Sequence, residues 1–245
     1  MPTIRSRVAR LDSITTSSWT ASNSRLLGVT VKRRRRGARD PAVWLVMKAA
    51  ELVEDALRGL QDLTHGRLIV VALDGRSGAG KSTLAAAIAE AVDAAVVHVD
   101  DFYRDMPDAE RLALSPAQGV DRYFDWERIR EEALTALVRR ERAWFHRFDW
   151  EAGRGLTSAI TVEPRDVIIV EGVYSARPEF DDLLDLKVLV EVAPEDRAQR
   201  RHQRPRTVSR DDPHGWDARW DRAEHLYFET IRPRNTFDLI VSGSA

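Results

Sequence analysis

A glycine-rich stretch, Gly75-Arg76-Ser77-Gly78-Ala79-Gly80-Lys81-Ser82, spells G-x-x-x-x-G-K-S and constrains this chain more than any other segment. Such a loop cradles phosphate only where a buried strand leads into it and a helix follows. Both flanks are present. Leu68 to Leu73 is a short apolar run rich in β-branched residues, which predicts a central parallel strand. Lys81 to Val92 is Ala-rich and free of Gly and Pro, which predicts a helix. Glycines let backbone N–H groups turn inward onto phosphate oxygens, and the helix N-terminus adds partial positive charge. In this Walker A arrangement Lys81 reaches the outer phosphates and the Ser82 hydroxyl ligates Mg²⁺, with Gly75, Ser77, Gly78, Ala79, Gly80 and Thr83 completing the nucleotide cradle.

Composition narrows the class further. The 245 residues suffice for one sizeable α/β domain and an appendage. With no cysteine, disulfides, thiolate catalysis and Cys-based zinc sites are excluded, as suits a reducing cytoplasm. No apolar run approaches bilayer-spanning length, so no membrane association is expected. Residues 1–46 carry ten Arg or Lys against two Asp, so a net charge of −1 leaves the remainder at −9. An acidic body argues against a nucleic-acid-binding surface on the folded domain.

Residues 1–40 stand apart: rich in Ser, Thr and Arg, without a sustained period, and ending in Lys32-Arg33-Arg34-Arg35-Arg36. They are expected to form a disordered basic arm, with the folded domain spanning 41–245. A transit peptide or a basic tail has this composition. The dominance of Arg over Lys and the abundance of Ala favour a third explanation, a misassigned start ahead of Met47 in a GC-rich bacterial gene.

Along the body, Asp40-Pro41 opens an amphipathic helix carried by Val46, Ala50, Val53, Leu57 and Leu60 to about Leu63, where His65-Gly66 ends it. Ala95 to Val99 reads as the second strand and residues 104–122 as a polar loop. Trp126 to Val138 reads as a helix, and Ala143 to Gly155 has no clear assignment. Val167 to Gly172, Leu186 to Val192 and Phe237 to Val241 read as further strands. Arg197 to Arg206 is a basic helix, and a Trp-rich helix runs to about Ile231. Strands alternating with helices predict a parallel sheet covered on both faces, with ligands at the strands' carboxyl ends. The glycine loop, Asp100 and Glu171 all fall there.

Phosphoryl transfer needs a metal, a proton acceptor and cations around the migrating group. Glu171, ending an apolar strand, suits Mg²⁺, although an acid at a strand end can also simply cap a helix. Asp100 suits a base toward a substrate hydroxyl; strand alternation would let only one of Asp100 and Asp101 face the site. Arg197, Arg200, Arg201 and Arg204 share one helical face, either solvated or serving as a lid over the γ-phosphate. The histidines, His98 among them, show no metal spacing and read as structural or exposed. Tyr103, Phe148 and Trp150 flank acids, so each is either core or the wall of a sugar or base pocket.

These ordered motifs resemble the uridine kinase / nicotinamide riboside kinase family of P-loop kinases. Gly75 to Thr83 is similar to that family's G-x-S-G-x-G-K-[ST]-T, and Ile169-Val170-Glu171-Gly172 to its [IV]-[IV]-E-G. Asp100-Asp101-Phe102-Tyr103 resembles D-[SD]-F-[YF], which implies Asp100 as the general base. Phe124-Asp125-Trp126 resembles a segment whose Asp binds ribose hydroxyls, and Phe148-Asp149-Trp150 the Y-D-F that lines the nucleobase pocket. Arg197-x-x-Arg200-Arg201-x-x-Arg204 is similar to the R-x-x-R-R-x-x-R lid, with Arg201 and Arg204 implied at the phosphates. The resemblance also implies five parallel strands in nucleoside-kinase order. Two departures stand out, one at the acceptor pocket and one in the lid. Glu151-Ala152-Gly153-Arg154 lacks the His that reads a pyrimidine, and Thr207 to Asp212 replaces the family's E-R-G-R-D.

The expectation is an α/β P-loop kinase using ATP and Mg²⁺ on a small-molecule hydroxyl, foremost a ribonucleoside 5′-hydroxyl. Nicotinamide riboside, pantothenate or a sugar phosphate are alternative acceptors, and homo-oligomerisation stays open. A nucleotide-dependent switch or nucleic-acid-associated NTPase is the competing class. That class predicts nucleic-acid-stimulated, salt-sensitive hydrolysis that disappears when residues 1–40 are deleted, whereas the kinase predicts acceptor-dependent ADP release that survives the deletion.

Overall fold

A computed structural model of the chain describes residues 41–64, 66–203 and 215–243. The basic arm, His65, Arg204, Arg206 and the segment 207–212 lie outside the described residues. The architecture grows from β1 (Ile69–Asp74), in which every residue is buried. A strand buried on both faces must feed two cores, and alternation divides them. Ile69, Val71 and Leu73 pack with Val53 and Leu57 of α1 (Pro41–Leu63) and Leu84 and Ile88 of α2 (Lys81–Val92). Val70 and Ala72 face the opposite core, which includes Phe102, Leu134, Phe145 and Tyr227.

Four parallel partners complete the sheet in the order β2-β5-β1-β6-β7. These are β2 (Ala95–His98), β5 (Val167–Glu171), β6 (Leu186–Glu191) and β7 (Leu239–Ser242). Register sets Leu73 opposite Glu171, and Glu171 opposite His98, so the carboxyl ends of β1, β5 and β2 form one row. Outside this sheet, β3 (Ala143–Phe148) and β4 (Leu156–Val162) form an antiparallel hairpin. Among the described residues no helix is long and apolar enough to cross a membrane.

Several expectations are corrected. Residues 104–122 hold two short helices, α3 (Asp108–Ala113) and α4 (Pro116–Arg122), rather than a polar loop. Ser115 caps α4 in a reciprocal box with Gln118, so Pro116 starts a helix instead of breaking one. The unassigned stretch contains β3, and its partner β4 was not anticipated. The helix from Trp126 to Val138 is present as α5, formed by Trp126–Arg128, a π-helical Ile129–Leu134 and Thr135–Val138. The arginine helix, α6, starts earlier than expected, at Pro194, and is described to Gln203. The Trp-rich helix α7 (Trp216–Leu226) runs on through a π turn, Tyr227–Ile231.

Gly172 marks a tight joint in the row of strand ends. Its φ is +142°, and a Cβ there would stand 2.5 Å from the Val99 Cβ. Gly172→Ala combines backbone strain with overpacking against a buried neighbour, and should lower unfolding stability by at least about 2 kcal/mol. Urea titration of the two proteins measures this.

Candidate active site

The chain leaving β1 passes so close to β6 that the Val190 carbonyl oxygen would lie 2.3 Å from a Cβ on Gly75. Only glycine, at φ +151°, fits there. The loop from Gly75 through Ser77, Gly78 and Ala79 ends at Gly80, the left-handed N-cap of α2. No side chain caps this helix, so its first-turn N–H groups, around Ser82 and Thr83, are placed for oxygens of an anion. Lys81 is buried, and its ammonium donates to the carbonyls of Gly75 (2.8 Å) and Arg76 (3.2 Å), which keeps the positive charge on the loop. Glycine cradle, uncapped helix and buried ammonium together fit a polyphosphate.

Beside the cradle, Ser82 Oγ donates to Glu171 Oε2 at 3.2 Å, and His98 Nδ1 lies 2.6 Å from Glu171 Oε1. Burial pushes the Glu171 carboxyl up. The His98 hydrogen bond, the Lys81 and His98 charges and the Ser82 hydroxyl outweigh it and hold the group below its ordinary value. The same bond raises the His98 imidazole against the opposing effect of burial. A hydroxyl with a single ionised carboxylate is a hard, oxygen-only donor set, suited to Mg²⁺ that keeps waters and phosphate oxygens as its other ligands. Among the described residues no cluster of three or more His, Cys, Asp or Glu offers a metal cage. His98 was missed in the sequence because no motif marks it; the signal that could have found it is its place at the very end of β2.

Asp100 and Asp101 sit beyond the strand, in a 3₁₀ turn (Val99–Phe102), so alternation does not choose between them. Asp100 is exposed, and its backbone carbonyl accepts the Trp150 indole N–H at 3.1 Å. Asp101 is half-buried, which raises its carboxyl above the ordinary range against the charges of His98 and Arg147. Next along the chain, Tyr103 packs against Phe148 and Trp150, with ring centroids 5.2 and 4.8 Å away. Tyr103 is 6 % and Phe148 3 % exposed, whereas Trp150 is 38 % exposed; the indole is therefore the open face of this stack. Asp125 caps α5, accepting from the Arg128 N–H at 3.4 Å, and pairs with Arg104 at 3.2 Å. Asp149 holds the hairpin turn through the N–H groups of Glu151 and Ala152.

The described arginines of α6 turn toward the body. Arg197 pairs with Glu224 (2.9 Å), Arg200 donates to the Gly243 carbonyl (2.8 Å), and Arg201 pairs with Asp217 (3.2 Å) and Asp221. Arg204 lies outside the described residues. The sequence reading singled out none of the α7 acids, because they are scattered among Trp and Arg and match no phosphate motif.

The Phosphoribulokinase / Uridine kinase family model matches residues 70–242. A uridine kinase of Clostridium botulinum (strain 657 / Type Ba4) is 33 % identical over 181 residues, covering 68 % of this chain and 80 % of the relative. A uridine kinase of Halobacterium salinarum is 30 % identical over 138 residues, 55 % of this chain and 61 % of that protein's length. Among solved structures, a protein provisionally assigned as a fructose transport system kinase from Silicibacter sp. TM1040 superposes with a TM-score of 0.59 at 30 % identity. That likeness covers 78 % of this chain and 98 % of the other. The matched span runs from β1 to β7 and is therefore not confined to the glycine loop. The chain belongs to the phosphoribulokinase / uridine kinase family and is a phosphotransferase acting on a hydroxyl group.

Proposed function

We propose that this chain is an ATP- and Mg²⁺-dependent kinase that phosphorylates the 5′-hydroxyl of a ribonucleoside. The observation that carries the reading is the row of strand ends. The cradle after β1, the Ser82–Glu171 pair after β5 and the Asp100 turn after β2 are neighbours in one sheet. On the other side of β1, a cavity of about 1230 Å³ opens beside Arg76 and Ala79 at the ends of β6 and β7, roomy enough for a nucleoside moiety. In this reading the donor nucleoside occupies that cavity and the acceptor lies on the β5 and β2 side, with the cradle between them.

Within this arrangement Asp100, exposed in the turn that follows β2, accepts the proton of the attacking hydroxyl. Asp125 orients sugar hydroxyls, and the exposed indole of Trp150 offers a flat face to a base, above buried Tyr103 and Phe148. Asp149 supports that face by fixing the turn that carries Trp150. Lys81, Arg201 and Arg204 stabilise negative charge on the migrating phosphoryl. Mg²⁺ held by Ser82 and Glu171 would neutralise charge on the outer phosphates. A sugar-type acceptor is the second reading, favoured by the missing pyrimidine-reading His at 151–154 and by the likeness to the Silicibacter protein.

An ADP-release screen over nucleosides, vitamins and sugars, with a no-acceptor control, separates these readings. Strong turnover with a nucleoside supports the first and with a sugar the second, whereas acceptor-independent hydrolysis would sink both. Asp100→Asn should lower kcat by roughly 10²–10⁴-fold and leave ATP affinity unchanged. Glu171→Gln should raise the Mg²⁺ concentration needed for half-maximal activity by at least about tenfold, as the loss of a metal-orienting carboxylate does. A magnesium titration at fixed ATP measures that shift.

A further inference from the structure

Glu224 lies in the last turn of α7 and is fully buried, yet it joins two separate parts of the site, the cradle and α6. Its Oε1 accepts the Ser77 backbone N–H of the cradle at 2.6 Å and the Trp220 indole N–H at 2.8 Å. Its Oε2 accepts from Arg197 Nη1 of α6 at 2.9 Å. A buried carboxylate is tolerated only when paired and fully hydrogen-bonded, and these three partners are all donors. The backbones are correspondingly close: a Cβ on Gly78 would stand 2.9 Å from the Arg197 carbonyl oxygen. One and two turns back along α7, Asp221 and Asp217 hold Arg201.

We propose that Glu224 is a positioning residue for the triphosphate: it sets the cradle loop and the arginine helix in fixed register, so that Ser77 and Arg197 are held by one anionic side chain. The proposal rests on the cradle binding a nucleotide, as argued above. Without the carboxylate, the Ser77 amide and the Arg197 guanidinium lose a common anchor. Loop and helix then move independently, and the nucleotide must order both on binding. A glutamine cannot substitute, because its NH₂ would face an N–H donor. Aspartate keeps the charge but draws it back by one methylene.

The test compares the wild-type chain with Glu224→Gln and Glu224→Asp. MgATP affinity is read by calorimetry, together with KM for ATP and for the acceptor, acceptor-independent hydrolysis, and hydrogen exchange of the Ser77 amide. For Glu224→Gln we expect at least tenfold weaker ATP binding, an unchanged acceptor KM, a larger share of acceptor-independent hydrolysis and faster Ser77 exchange. Glu224→Asp should recover part of each effect. A purely structural role would lower Tm while ATP affinity of the folded protein stayed the same, and that result overturns the proposal. Should Glu224→Gln fail to fold, Glu224→Asp decides alone: at least threefold weaker ATP binding supports the proposal, and wild-type affinity overturns it. A wild-type chain that binds no ATP would bring down the functional reading and this one with it, whereas wild-type binding matched by both variants removes only the role of Glu224.

Discussion

The geometry of the site hangs on the carboxylate of Asp74, the last residue of β1 and completely buried. One oxygen accepts the N–H groups of Gly75 and Tyr174; the other accepts the Ala176 N–H and the Tyr227 hydroxyl. Those four donors belong to the start of the cradle, to the segment that follows Glu171, and to the π turn that extends α7. Burial pushes this carboxyl above its ordinary range, while the hydrogen bonds from Ala176, Tyr227 and Gly75 and the Lys81 charge oppose that shift. Tyr174, whose N–H is one of these donors, stands at φ +70°, a conformation that non-glycine residues rarely adopt.

Three acids with different duties follow from this arrangement. Asp74 is wholly buried and meets neutral donors, so it organises backbone. Glu171 sits at the row of strand ends with Ser82 and His98, where its depressed proton affinity keeps it ionised. Glu224 is buried as deeply as Asp74 but faces a guanidinium, which links the cradle to a helix that carries cations of its own. Because the Asp74 knot includes Tyr227, and Tyr227 continues the helix that bears Glu224, cradle, metal-side acid and arginine helix are mechanically joined. A transferase that must keep water from its phosphoryl group benefits from this kind of preorganisation.

Much of the fold was legible because parallel strands buried on both faces are written as uninterrupted apolar runs, as in Ile69–Asp74 and Val167–Glu171. The hairpin was not. Strand β4, LTSAITV, is only partly buried and lies outside the main sheet, so its pattern resembles a polar loop. Proline misled at Pro116, where the Ser115–Gln118 box was present in the sequence but outweighed by the polar surroundings. The strand-alternation argument for Asp100 failed because β2 stops at His98, two residues earlier than that argument required. Of the two readings open for Tyr103 and Phe148, core or pocket wall, burial favours the core, which leaves Trp150 as the accessible ring.

By itself the sequence determined the cradle, its flanking strand and helix, and the presence of acids at strand ends, since each depends on neighbours along the chain. Local spacing suffices where backbone conformation does the chemistry: a glycine turn followed by an uncapped helix binds phosphate wherever it is built. Only the tertiary structure decided that His98 meets Glu171, that Trp150 reaches the Asp100 turn, and that Glu224 takes up Ser77 and Arg197. Those partners are separated by 73, 50, 147 and 27 residues respectively. Contacts of that range are set by sheet order and helix packing, and no local pattern encodes which acid will be buried against which donor.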